Sequence, residues 1–442
     1  MLNDGLDKPQ HVGINSLMFA TPTSRSLARW LVGWVGILGL SIGVCAAELP
    51  AAAPEKVGLD SGQLGKIDGL VSGWIAGNKL AGATVAVARH GKVAYVKAFG
   101  QRDHEASLPM TEDTIFRIYS MSKAFTSAAV LMLMEEGKIG LEDPVSKFIP
   151  EFKGIQVSGP DGTHPARREP TVHDLLHHTA GLGYGLGTTA IDKAYRQAKF
   201  FNRDIDLQTK CASLGRIPLH YEPGTAWQYS VGIDVLGRIV EVASGQTFDV
   251  FLEKRIFQPL DLRDTDFFVP AEKASRFAAL YHYDEKGGLT LQDAPGTSEY
   301  LKKPRFLSGG AGLVSTTRDD LRFLSLILNH GKLGGVRLLK PATVDLMTHN
   351  DLPASIVPIR DDEEVEHGVG FGLGFKVRVE HSDKWDPASP VGEWGWGGAA
   401  STHYWASPKD DLIVVTMEQT MPGNFNLETG LKGVIYSAVR GK

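Results

Sequence analysis

The chain has 442 residues, 43% of them hydrophobic and 22% charged, the balance of a soluble globular protein and not of a disordered, collagen-like or polytopic membrane chain. Its 46 basic and 51 acidic residues leave a net charge of −5, which argues against nucleic acid as the main partner, since phosphate binding needs a basic face. The length allows two or three structural units around a sizeable core.

The N-terminal segment carries Arg25 and Arg29, an apolar run from Trp30 to Cys45, and then Ala46 and Ala47. A basic flank, a short apolar stretch and small residues make a secretory signal peptide over residues 1–47, cleaved after Ala47, with Met18 as an alternative start. The run is short for a membrane span, although a retained anchor is the competing reading. Export to the periplasm or medium follows, with no stable span in the mature chain. Cleavage would leave Cys211 as the one remaining cysteine and no intrachain disulfide.

Residues 48–62 are rich in Ala and Pro and read as a linker at the head of an α/β part over 48–150. A helix is expected from Ser61 to Gly77. Ala83–Ala88 and Val93–Phe99 flank His90-Gly91 as a hairpin, and a helix follows from Ser120 to a capping Gly137. Residues 151–300 change character. Helical stretches at Thr171–His177 and Ile233–Ala243 alternate with Gly/Pro-containing loops, a mainly helical insertion. Residues 301–442 return to the α/β pattern. A glycine-rich segment at Ser308–Gly312 precedes a helix over Arg318–Asn329, strands over Gly370–Val379, Ala399–Ala406 and Leu412–Met417, and a terminal helix over Leu427–Val439. Strands at both ends with helices between them predict one α/β unit whose halves are far apart in sequence.

Ser120-Met121-Ser122-Lys123 is the sharpest chemical signal, and Ser120 is the only serine with a lysine three residues on. Positions i and i+3 share a helix face, and a helix start lends the serine free backbone N–H groups. A serine needs a base to act as a nucleophile, and a lysine set among apolar side chains can be that base. Alone, the pattern is common enough to be a capping serine beside a solvated lysine. Gly39-Leu40-Ser41-Ile42-Gly43 matches the nucleophile elbow of another hydrolase fold, but it sits inside the leader and lacks a strand–turn–helix context. His173 and His177 have the i, i+4 spacing of a metal-ligand pair, yet no third ligand with suitable spacing accompanies them, so no metal site is expected. The acidic run within Arg360–His367 reads as a solvated loop. No phosphate-binding or dinucleotide fingerprint appears, and no cofactor is expected.

Several further segments, in order, give the chain its family likeness. Pro109–Arg117 leads into the Ser120 motif. Thr171–Leu182 reads TVHDLLHHTAGL, Glu222-Pro223-Gly224 precedes Trp227-Gln228-Tyr229-Ser230, Ser308–Thr316 reads SGGAGLVST, and Gly392–Ala400 reads GEWGWGGAA. Together they resemble the serine β-lactamase and penicillin-binding superfamily, and within its class C-like branch the family VIII carboxylesterases. The likeness spans nearly all of residues 60–440.

The resemblance implies an antiparallel sheet flanked by helices with an inserted helical domain. It implies Ser120 as nucleophile, with Lys123 and Tyr229 as the proton-transfer groups. Tyr229 stands in a motif that ends in asparagine in the superfamily and in Val231 here. It also implies that Trp396-Gly397-Gly398 replaces the lysine-containing segment facing the nucleophile, that the Ser120 and Ala399 amides form an oxyanion hole, and that Tyr184 lines the pocket. Trp396 brings no charge for a substrate carboxylate, so an uncharged small-molecule ester is expected, with apolar acyl or aryl groups favoured by Trp394, Trp396, Tyr404 and Trp405. A β-lactamase, D-amino-acid peptidase or amidase of the same fold is the alternative, and a non-catalytic penicillin-binding-like module is a third reading.

Overall fold

In the computed structural model the described residues are 48–361, 364–423 and 426–441. The leader, Cys45 and the discarded Gly39–Gly43 motif lie outside them.

The architecture is built on one antiparallel sheet that takes strands from both ends of the chain. Its strands are β1 (Gly82–Arg89), β2 (Lys92–Asp103), β3 (Leu108–Pro109), β4 (Val369–Phe371), β5 (Lys376–Arg378), β6 (Trp394–Gly398), β7 (Thr402–Ser407) and β8 (Leu412–Met417), in the spatial order β4-β5-β6-β7-β8-β1-β2-β3. The expected hairpin is β1/β2. His90 and Gly91 have φ of 53° and 67°, the paired positive values of a two-residue turn that follows strand twist. β8 pairs with β1 from Thr84–Met417 to Arg89–Leu412, which joins the two ends of the chain. β1 is buried along its whole length, as suits a central strand covered on both faces.

The helices that matter for the site are α1 (Lys66–Ala76), α2 (Ser122–Glu135), α3 (Val172–Leu176), α4 (Gly232–Ser244), α5 (Thr317–Leu328) and α6 (Asn426–Ala438). α1 and α6 cover one sheet face, where Ile67, Val71, Leu431 and Ile435 meet Val85, Val87, Trp405 and Val414. α5 crosses β8 and β1 on the other face, above Ala86, Ile413 and Val415. α2 is buried from Ser122 to Leu133, with its polar residues Ser122, Lys123, Thr126 and Ser127 confined to the first two turns and apolar side chains beyond them. It packs against α4 and ends as expected at Gly137 (φ 71°). There the Gly137 and Lys138 amides donate to the Met134 and Leu133 carbonyls, a Schellman cap. α3 begins with a capping box between Thr171 and Asp174.

Two expected strands differ from the structure. Gly370–Val379 is the hairpin β4/β5 and not one strand, because Gly372 and Gly374 (φ 145°) turn the chain and the Gly372 amide closes on the Phe375 carbonyl. Ala399–Ala406 starts later, at Thr402. Residues 399–401 form the β6/β7 turn, with Ser401 at φ 63°. The acidic segment expected as a loop forms a small ladder of Arg360–Asp361 with Glu364–Val365.

Candidate active site

Ser120 lies in a single 3-10 turn, Tyr119–Met121, directly ahead of α2. Tyr119 has φ 41°, a conformation that L side chains seldom adopt. The strained turn redirects the chain from the buried Phe116–Ile118 segment and presents Ser120 at the mouth of a cleft. Lys123, one helical turn on, is 2% exposed. Its Nζ donates to Ser120 Oγ at 3.2 Å and to the Gly310 carbonyl at 2.8 Å. The Tyr229 hydroxyl donates to the same Oγ at 2.6 Å. Two donors therefore converge on one serine oxygen, an arrangement that stabilises an alkoxide. Lys123 Nζ also stands 4.5 Å from the centre of the Tyr229 ring.

The glycine-rich segment explains how Lys123 is held. The Gly309 carbonyl accepts from Thr126 at 2.7 Å, and Ser122 Oγ accepts from the Leu313 amide at 3.1 Å, which ties the segment to the first turn of α2. Asp234, buried near the start of α4, accepts from Ser308 Oγ at 2.5 Å and from the Gly310 amide at 3.1 Å. A Cβ at Gly310 would stand 2.7 Å from Asp234 Oδ2, so only glycine lets the carboxylate reach that amide. Burial pushes the Asp234 carboxyl up, while Ser308, the Lys123 charge and the Gly310 amide oppose the shift.

Tyr229 sits three residues ahead of α4 inside an aromatic shell. Its ring centre is 5.0 Å from His178, 5.0 Å from Tyr184 and 5.3 Å from Trp396. His178 is buried, contacts Ser230 Oγ through Nδ1 at 3.3 Å, and is held well below its usual titration range by burial and then by the Lys123 charge. A neutral imidazole thus backs the phenol. Val231, where the superfamily motif has asparagine, is buried and apolar, so that position brings no polar side chain.

The cleft has a volume of about 860 Å³, and Ser120, Tyr229, Trp396, Gly397, Gly398 and Ala399 all line it. Gly398 is packed so closely that a Cβ would lie 2.4 Å from the Ile118 carbonyl, two residues before Ser120. The end of β6 is therefore seated against the turn that carries Ser120. Lys376 and Glu366 also line the cleft, paired with each other at 2.8 Å, and Lys376 Nζ stands 5.1 Å from the Trp396 ring centre. Of the four expected aromatic residues, Trp396 lines the cleft, Trp394 and Tyr404 are core residues, and Trp405 borders the cleft but is itself buried in the core beneath α1 and α6. Tyr184 packs at a tilt against Tyr229, near Lys123, and is not part of the cleft lining. A second cavity of about 450 Å³, lined by Asp261, Arg263, Asp264 and Lys273 among others, holds none of these residues.

Sequence reasoning missed Asp234 and the Gly310 carbonyl. The available signal was faint, an acidic residue in the first turn of a helix whose other charged residues, Arg238 and Glu241, lie further along and pair with each other.

The family model described as Beta-lactamase matches residues 67–434. Esterase EstB of Burkholderia gladioli is 33% identical over 412 residues, covering 87% of this chain and 98% of its own. Lovastatin esterase of Penicillium rubens is 29% identical over 397 residues, 82% of this chain and 97% of its own. The solved structure of EstCE1, a hydrolase with promiscuous acyltransferase activity, superimposes with a TM-score of 0.72 at 28% identity, covering 85% of this chain and 99% of that one. The chain belongs to the beta-lactamase family, on the branch that holds the carboxylesterases. The fold expected from the motifs is the one observed.

Proposed function

We propose that this protein hydrolyses uncharged carboxylic esters with short to medium acyl or aryl groups through an acyl-enzyme on Ser120. The observation that carries the reading is the placement of Ser120 Oγ between Lys123 Nζ at 3.2 Å and the Tyr229 hydroxyl at 2.6 Å, on a cleft walled by Trp396. Lys123 takes the Ser120 proton as Oγ attacks the ester carbonyl. The Ser120 and Ala399 amides hold the oxyanion, and such a donor is typically worth about 2.7–4 kcal/mol of barrier. Tyr229 gives its proton to the departing alkoxide and recovers one from Lys123. Water then attacks the acyl-enzyme, its proton passing through the Tyr229 hydroxyl to the neutral Lys123, and Lys123 returns that proton to Ser120 Oγ as the acid leaves.

The charge around the cleft supports an ester over a β-lactam or a peptide terminus. Trp396 replaces the cation that would meet a substrate carboxylate. Among the cations that line the cleft, Lys376 pairs with Glu366, Arg378 with Asp386 and Lys432 with Asp386 and Glu393, while Lys384 is exposed to solvent. Export is part of the same reading and rests on the sequence of residues 1–47. Among the described residues no helix is long and apolar enough to cross a membrane.

The test is a side-by-side rate assay on p-nitrophenyl butyrate and a chromogenic cephalosporin, with Ser120→Ala as control. Fast ester turnover that the variant loses, with slow or absent cephalosporin turnover, is the expected result. A preference for the cephalosporin would overturn the substrate assignment.

A further inference from the structure

Away from the cleft, three side chains from two distant segments converge. His173 lies on α3 and His177 directly after it, with ring centres 4.4 Å apart. Asp351 comes from the segment ahead of β4, 178 positions from His173, and its Oδ2 contacts His173 Nε2. One ligand atom from each of the three residues lies within 4.8 Å of the other two.

The surrounding hydrogen bonds decide which nitrogen each ring presents. Asp174 is gripped by Arg168 through both carboxylate oxygens, at 2.5 and 2.8 Å. Its Oδ1 accepts from the Thr179 hydroxyl at 3.2 Å. With its proton so used, Thr179 Oγ1 accepts from His177 Nδ1 at 3.0 Å, and the lone pair of His177 is left on Nε2. Glu142 Oε1 stands 3.4 Å from His173 Nδ1 and can hold the proton there, which frees His173 Nε2 as a ligand atom. Both rings thus have an oxygen acceptor on Nδ1, the arrangement that orients metal-ligating histidines.

We propose that His173, His177 and Asp351 form a three-ligand site for a divalent transition ion, best suited to zinc. Two imidazole nitrogens and one carboxylate oxygen are donors that zinc favours, and three protein ligands leave a fourth position for water. Binding displaces the proton shared by His173 and Asp351 into solvent. The ion would join the end of α3 to the segment preceding β4. That segment is anchored by the Asp351 amide on the Phe371 carbonyl at 2.9 Å. Phe371 and His178, the neighbour of His177, pack on each other and on the aromatic shell around Tyr229. The role this placement gives the ion is structural support of the cleft wall, not chemistry on the substrate.

The test uses the untagged protein, stripped with a chelator, dialysed, and titrated with Co²⁺ as a spectroscopic stand-in for zinc. We expect one Co²⁺ per chain, the visible absorption of a four-coordinate ion, displacement by Zn²⁺, and a rise in Tm with Zn²⁺. His177 is buried and its replacement could unfold the chain, so the informative variants are His173→Asn and Asp351→Asn, whose side chains are 28% and 27% exposed. Each should weaken Co²⁺ binding at least about a hundredfold and remove the Zn²⁺-dependent rise in Tm. Thr179→Val, which deletes only the outer partner, should weaken binding about tenfold. Substoichiometric binding by the parent, or parent-like binding by both ligand variants, would overturn the site.

Discussion

Replacing Tyr229 with phenylalanine isolates one oxygen atom. The ring would keep its neighbours, His178 and Tyr184 at 5.0 Å and Trp396 at 5.3 Å. Ser120 Oγ would keep Lys123 but lose its 2.6 Å bond from the phenol. Stability should change by no more than about 1 kcal/mol, the usual worth of one hydrogen bond. Catalysis should change far more. A positioned acid or base typically contributes about 10²–10⁴-fold, which is about 2.7–5.4 kcal/mol of barrier. The leaving group then separates mechanisms. An alkoxide needs a proton as it departs, whereas p-nitrophenolate does not. Measured as kcat/KM, which reports acylation, Tyr229→Phe should lose at least about a hundredfold on ethyl butyrate and much less on p-nitrophenyl butyrate. Equal fractional losses on the two esters, or no loss on either, would refute the role of Tyr229 as leaving-group acid.

The remaining predictions concern Lys123 as the proposed base, the seat of the cleft and an acid outside it. Lys123→Met keeps an apolar stem and deletes the amine, so kcat on p-nitrophenyl butyrate should fall about 10²–10⁴-fold, while the Gly310 carbonyl left without its donor costs about 1–3 kcal/mol in denaturant melts. Gly398→Ala must move the Ile118 carbonyl, which its Cβ would approach to 2.4 Å. Overpacking of this kind costs about 1–3 kcal/mol, and kcat should fall more than the loss of folded protein explains. Burial, with help from Glu253 and Asp249, pushes the Asp266 carboxyl from its ordinary 3.8 up to about 6. Between these values the native state keeps a proton that the unfolded chain has released, so this group's contribution to stability is full below pH 4 and is lost as the pH rises through 6. Asp266→Asn keeps an acceptor for the Phe267 amide and removes the penalty. It should melt like the parent near pH 4 and be more stable above pH 6, by at most about 3 kcal/mol and less to the extent that solvent reaches the carboxyl.

The parts of this molecule that were legible in the sequence are those whose partners are close along the chain. The β1/β2 hairpin could be read because its turn and both strands lie within Gly82–Asp103. The Ser120–Lys123 pair could be read because a single helical turn brings the two together. Gly137 as the cap of α2 needed only the preceding turn. Tyr229, 109 positions from Ser120, was reachable only through family resemblance, and so was Ala399 as a residue of the cleft, whereas the turn that carries it was misread as a strand. Asp234 carried only the faint signal of an acid in the first turn of a helix. Its role depends on Ser308 and Gly310, 74 and 76 positions away, meeting the start of α4. Asp351 was hidden from the His173/His177 pair for the same reason. The misread strands have a local cause. Gly370–Val379 has the apolar content of a strand, but Gly374 supplies a turn that hydropathy does not register. Trp394 and Trp396, two positions apart on one strand, share a sheet face, so the strand period does not separate them; their neighbours bury the first and leave the second on the cleft.

The most direct test of the account is to trap the covalent intermediate. The protein would be treated with a fluorophosphonate, or quenched in acid during turnover of p-nitrophenyl butyrate, and the modified peptide mapped by mass spectrometry. The account predicts one adduct per chain on the peptide that contains Ser120. It also predicts no adduct and no ester turnover in a folded Ser120→Ala variant. Turnover that survives in that variant, or an adduct on another residue, would contradict it.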